Sequence, residues 1–152
     1  MIDLKLYKRP MAALVIAGDK VRATPGVVAK FSNTLANEGV NIYGISSGEF
    51  SIDFYVDEAD HDKAKKALTP VVERSAFISL STMRNIGMIT VTGKEFGETP
   101  GMLVRLLAPL AKKGINIFSI SISLNSLLLF VGWNDTRAAY ELVEKQFVKG
   151  VV

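Results

Sequence analysis

The chain repeats itself. At an offset of 75 residues, the separation of Thr24 from Thr99, the sequence matches itself without a gap for more than thirty positions. Gly18 falls on Gly93, Thr24-Pro25-Gly26 on Thr99-Pro100-Gly101, Leu35-Ala36 on Leu110-Ala111, Gly39 on Gly114, Asn41-Ile42 on Asn116-Ile117, Ile45-Ser46 on Ile120-Ser121, and Val56 on Val131. Such a series at fixed spacing means two copies of one supersecondary unit. In 152 residues each copy is too small to be comfortably stable alone, so the two are expected to share an interface.

Within each copy the period of the apolar residues changes in the same order. Short β-branched runs at 12–17 (AALVIA) and 88–92 (MITVT) read as buried strands. Each leads through a polar loop to Thr-Pro-Gly, where Thr as N-cap and Pro at the first helical position place a helix start. Val27, Phe31 and Leu35, with Val28 and Thr34 beside them, form the stripe of the first helix, and Leu103, Leu106, Leu107 and Leu110 that of the second. Gly39 and Gly114 follow as left-handed C-caps. Paired strands are expected at 41–47 with 50–57 and at 116–124 with 126–133, then closing helices at 58–69 and 135–147 and a fourth strand within 71–82.

The order βαββαβ, met twice, predicts an α+β fold of two ferredoxin-like units in tandem, their sheets side by side and their helices on one face. The expected domains are 8–82 and 83–152. Little chain remains after the last helix, so residues 1–7 (MIDLKLY), which alternate as a strand does, are expected to supply the last strand of the second unit.

Composition excludes several classes of function. With no Cys and one His there is no disulfide, no thiolate nucleophile and no ligand set for a metal, so no metal and no cofactor are expected. His61, among acids in DEADHDKAKK, reads as a surface residue. The net charge of +3 is scattered, which speaks against nucleic acid, and no apolar run reaches the ~20 residues that a membrane span needs, so a cytoplasmic protein is expected. GKEFGETPG lacks the GK[ST] of a phosphate loop, and no Ser or Thr stands in a catalytic arrangement, so no enzyme is expected.

The segments VRATPGVVAKFSNTLANEGVNIYGISSGEFSIDFYVDEADHDKAKKAL and FGETPGMLVRLLAPLAKKGINIFSISISLNSLLLFVGW resemble the ACT family, and in particular the paired regulatory ACT domains at the C-terminal end of aspartate kinases. No segment resembles the nucleotide-binding catalytic domain of those enzymes. The resemblance implies an amino acid or similar small metabolite bound where two ACT units meet, by the loop before the first helix and the start of the next strand. It places ligand-binding residues at Thr24, Pro25, Gly26, Val27, Asn41, Ile42, Ser47 and Glu49 in the first copy and at Glu98, Thr99, Pro100, Gly101, Met102, Asn116 and Ile117 in the second. Free amides at a helix start suit a carboxylate, while Asn41 and Asn116 offer acceptors to an α-ammonium and Glu49 and Glu98 negative charge. Ala23 departs from the acidic or polar residue the family carries two before the Pro, which Glu98 keeps, and Leu124 stands where the first copy has Glu49.

Each feature also has a structural reading: the glycines serve turns and caps, the asparagines bond the local turn, and Ser119, Ser121 and Ser123 line a solvated strand face. Leu127, Leu128, Leu129, Phe130 and Val131 are apolar toward both faces of one strand, which calls for a partner over the face without helices. The expected function is therefore an allosteric regulatory module of amino-acid biosynthesis, homo-oligomeric, and either free-standing or serving a separate catalytic subunit such as an aspartate kinase. The alternative is an oligomerisation or protein-interaction module that has the fold without the ligand.

Overall fold

The computed structural model describes residues 1–19, 21, 24–75 and 79–147. The chain divides into two compact units: Met11–Asn85, here the first repeat, and Met1–Pro10 together with Ile86–Val152, here the second. Strand β1 (Asp3–Leu6) comes first in the chain and belongs to the second repeat.

The first repeat runs through strand β2 (Met11–Ala17), helix α1 (Val27–Asn37), strands β3 (Gly44–Ser47) and β4 (Ser51–Asp57), a 3-10 turn at Glu58–Asp60, helix α2 (His61–Glu73) and the beginning of strand β5 (Ser79–Thr92). The sheet order is β3-β4-β2-β5, with Leu14 opposite Phe54 and Ser47 opposite Ile52 in antiparallel register. Alternation along the strands sends Ala12, Leu14 and Ile16 of β2 and Ile52, Phe54 and Val56 of β4 to one face, where they meet Val27, Phe31 and Leu35 of α1 and Ala64, Leu68 and Val72 of α2. Both helices therefore lie on that face.

Three expectations are corrected here. The helix does not start at Pro25: Gly26 has φ +83°, which breaks the helical path and delays α1 to Val27. The second helix does not stop at Thr69, because Val72 prolongs the buried stripe of Ala64 and Leu68, and that burial outweighs the amide that Pro70 lacks. Residues 71–73 are accordingly helix, and the strand expected within 71–82 begins at Ser79 and continues unbroken to Thr92; residues 76–78 lie outside the described set.

His61 is not a surface residue either. It is only 4% exposed, at the first turn of α2, with Nδ1 2.7 Å from Arg84 Nη2 and 2.8 Å from Asp62 Oδ1. The hydrogen bond from His61 and the Arg84 guanidinium hold the Asp62 carboxyl below its ordinary range.

The second repeat continues β5 and adds a helical turn α3 (Glu95–Glu98), helix α4 (Met102–Lys112), strands β6 (Ile117–Ile122) and β7 (Ser126–Gly132), a 3-10 turn at Trp133–Asp135 and helix α5 (Thr136–Phe147). β7 pairs with β5, Met88 opposite Phe130, and β1 lies antiparallel on the other side of β5, Asp3 opposite Thr92 and Leu6 opposite Ile89. The order β6-β7-β5-β1 is that of the first repeat, with β1 in the place of the fourth strand. Residues 148–152, which follow the last helix, lie outside the described set.

Ile89, Val91, Leu127, Leu129 and Val131 meet Met102, Leu106 and Leu110 of α4 and Ala139, Val143 and Phe147 of α5. The stripe of α4 is thus set by Met102, while Leu103, assigned to it from the sequence, stands 36% exposed. The other face of β7 does not stand open in the way its composition suggests: Phe130 is completely buried within the single chain and Leu128 half-buried. Covering Phe130 needs no partner subunit.

One glycine shows how closely helix and sheet meet. A Cβ on Gly87 would come within 1.7 Å of Thr136 Oγ1 and 2.7 Å of both Thr136 carbons. Thr136 is buried and β-branched and cannot rotate away, since its hydroxyl donates to the Gly132 carbonyl at 3.1 Å. Gly87→Ala is expected to cost ~1–3 kcal/mol, lowering Tm by roughly 3–10 °C in scanning calorimetry. Adding Thr136→Ala should recover part of that loss; a neutral single variant would contradict this packing.

Candidate ligand-binding site

Both Thr-Pro-Gly motifs form turns that end in a left-handed glycine. Gly26 (φ +83°) and Gly101 (φ +85°) are the N-cap residues of α1 and α4, and neither helix has a side-chain cap. A Cβ at either glycine would meet nothing within 4 Å, so the backbone angle alone demands glycine there. The first intrahelical bonds are Lys30 N–H to the Gly26 carbonyl and Arg105 N–H to the Gly101 carbonyl, and the amides before them have no acceptor within their own helix. That leaves the positive end of the α1 dipole toward the adjoining space.

In the first repeat this helix end borders a recess of ≈ 440 Å³, bounded by Thr24 and Gly26 to Ala29 on one side and by Ser47, Gly48 and Ile52 on the other. Of the expected residues, the structure thus brings together Thr24, Gly26, Val27 and Ser47. Pro25 lines a smaller neighbouring cleft of ≈ 100 Å³ with Lys30, Phe31 and Ser75.

Asn41 and Ile42 do not line the recess. They follow the far end of α1, whose 11 residues span about 16 Å. A Schellman closure, Gly39 N–H to the Ala36 carbonyl and Val40 N–H to the Leu35 carbonyl, turns the chain there, leaving Asn41 exposed and Ile42 packed on the core. β3 then runs back along the helix, so that its last residue, Ser47, and not its approach, Asn41, reaches the helix start. Glu49 lies one residue past Gly48 on the exposed turn and is already engaged in an interaction. Ala23 lies outside the described residues.

Sequence reasoning missed Gly48, Val28, Ala29 and Ile52. The available signal was strand length: β3 must run several residues before it regains the height of the helix start. Asp53, next to Ile52, points to the opposite sheet face; burial raises its carboxyl above the ordinary range, and its Oδ1 has no hydrogen-bond partner.

In the second repeat Glu98, Thr99, Pro100 and Gly101 are exposed, Met102 is a core residue, Asn116 is exposed and Ile117 packs on the core. The loop and the β6–β7 turn approach each other closely. α3 brings Gly97 so close to that turn that a Cβ would stand 2.8 Å from the Leu124 carbonyl oxygen. Phe96, the counterpart of Val21, packs on the core, its ring centroid 6.4 Å from that of Phe147.

These two β-α-β-β-α frames, each with a left-handed glycine at the helix start, match the ACT domain family over residues 14–70 and again over 81–145. The chain is a tandem ACT-domain protein. It is similar, at 25% identity over 117 residues, to the chloroplastic bifunctional aspartokinase/homoserine dehydrogenase 2 of Arabidopsis thaliana, covering 73% of this chain and 13% of that protein. Among solved structures it is similar to the aspartate kinase of Synechocystis, with a TM-score of 0.84 at 21% identity over 99% of this chain and 27% of that one. It is also similar to the ligand-free regulatory subunit of aspartate kinase from Thermus thermophilus, with a TM-score of 0.77 at 22% identity over 95% of this chain and 97% of that one. The chain thus spans a small part of the curated relative and nearly the whole of that regulatory subunit.

Among the described residues no cluster of side chains could hold a metal ion, and no helix is long and apolar enough to cross a membrane. In both ACT repeats the left-handed glycine is a structural requirement, and an L residue in that region costs about 1–2 kcal/mol. Gly26→Ala and Gly101→Ala are therefore each expected to lower Tm by roughly 2–6 °C in scanning calorimetry. A neutral effect at either position would contradict the left-handed assignment.

Proposed function

We propose that this chain is a non-catalytic regulatory module that binds an amino acid in the recess of its first ACT repeat and passes the binding on to an enzyme of amino-acid biosynthesis, of the aspartate kinase type. The observation that carries this reading is the recess at the start of α1, where amides without a helical acceptor stand across from the Ser47 hydroxyl. A carboxylate suits the first group and an ammonium the second, and an α-amino acid presents both within a few ångströms. The volume of ≈ 440 Å³ lies within the ~300–1,000 Å³ of small-ligand sites. The near-complete overlap with the regulatory subunit of an aspartate kinase supports a role served beside a separate catalytic chain.

Assembly into a homo-oligomer belongs to the same reading. β6 pairs only with β7 among the described residues, and Phe118, Ile122 and Leu124 beside its open edge are exposed, Leu124 by 77%. Coupling between binding and enzyme control then requires only that the ligand prefer one of two assembled states.

A thermal-shift screen of the twenty amino acids tests the proposal. A ligand at 100 times its dissociation constant stabilises by about 2.7 kcal/mol and should raise Tm by roughly 5–10 °C. No shift with any amino acid at 10 mM (about ten times a 1 mM Kd, still worth ~1.4 kcal/mol) would favour the ligand-free interaction module instead.

A further inference from the structure

One stripe of α5 is complementary to itself. A groove of ≈ 440 Å³ lies along this helix in the second repeat, and its α5 wall carries Asp135 first, then Ala138 and Leu142, then Lys145. With one residue every ~100° of helix these four fall within about a quarter turn of one another, and Asp135 and Lys145 stand about 15 Å apart along the axis. Asp135, Ala138 and Lys145 are exposed, and Leu142 is half-buried. Among the described residues neither Asp135 nor Lys145 has an ion-pair partner, whereas Glu141, which also lines the groove, is held by Arg137 at 3.1 Å.

The spacing of these residues is symmetric about Tyr140. In an antiparallel pair of α5 helices with a twofold axis at that level, Asp135 faces the partner's Lys145 and Ala138 faces the partner's Leu142, and both contacts occur twice. Acid then meets base at each end, and between them a small side chain opposite a large one lets the helices approach. The counterpart stripe of the first repeat, Asp60, Lys63, Ala67 and Pro70, lacks this property. There an acid would face a proline and a lysine an alanine, and Lys63 is already paired with Asp60 at 3.4 Å.

We propose that the second repeat docks onto a second copy of this chain through α5, antiparallel and about a twofold axis. This contact is independent of the ligand and separate from the open edge of β6. A single pair of 12-residue helices makes a small interface, at or below the ~1,200 Å² of weaker specific complexes, so association through it builds up with concentration.

Sedimentation velocity of the full chain, from micromolar to several hundred micromolar, tests the proposal. Lys145→Asp and Asp135→Lys should each weaken association by at least about tenfold, because like charges then meet at both ends of the helix pair. Equal amounts of the two variants, mixed, should restore it, since every acid again meets a base. Ala138→Arg, at an exposed position, should abolish the same step, and Lys66→Asp on α2 should leave it unchanged. Melting followed by circular dichroism separates loss of association from loss of fold. Single variants that associate as the wild type does, or a mixture that associates no better than either variant alone, would overturn the proposal while leaving amino-acid sensing intact.

Discussion

Left-handed glycines bracket α1 in the first repeat and α4 in the second, and much of the site geometry depends on them. At Gly26 a positive φ ends the Thr-Pro-Gly turn and lets α1 begin only at Val27; at Gly39 a second one closes the helix and returns the chain. With both ends pinned, Val27, Phe31 and Leu35 fall on one stripe, and the core beneath the sheet holds the helix at one rotation. β3 has to run antiparallel to its path, which brings Ser47 and Gly48 level with the first turn of α1. The recess follows from this closure. The same pair, Gly101 and Gly114, builds the same frame in the second repeat.

Identical frames do not make identical corners. The difference between the repeats lies in the segment before the second motif, which winds into α3 and lays Gly97 against the Leu124 carbonyl, with Phe96 inserted into the core. Gly97 has no side chain to hold the two segments apart, so the turn can close down. In the first repeat the same corner is bounded by valines, an isoleucine and two hydroxyls around open space. The two repeats thus share one fold while their corners differ in lining.

The order of elements was legible from the sequence because it depends on local rules: alternation in the strands, a 3.6-residue stripe in the helices, and glycine after each helix. The places where those rules misled have identifiable competitors. Proline at a helix start is a good local signal, but Gly26 one residue later adopts an angle that no helix contains. Pro70 should have ended α2, yet Val72 gains more by burial than the missing hydrogen bond loses. His61 looked solvated among its charged neighbours, and only the fold shows Arg84, 23 residues on, meeting its ring. In the site, Asn41 was favoured for its amide and its position after a glycine. Distance along α1 removes it from the recess, and Ser47 takes that place. The apolar lining of the recess was the least legible feature, because Val28 and Ile52 are anonymous apolar residues until strand and helix converge.

The proposed site is tested most directly by where a ligand touches the chain. Two-dimensional 15N–1H spectra, recorded while titrating the amino acid that gives the largest thermal shift, should move the amides of Thr24, Gly26 to Ala29, Ser47 and Gly48 and leave those of Thr99 to Val104 in place. Shifts concentrated at Thr99 to Val104, with the first repeat unmoved, would contradict it.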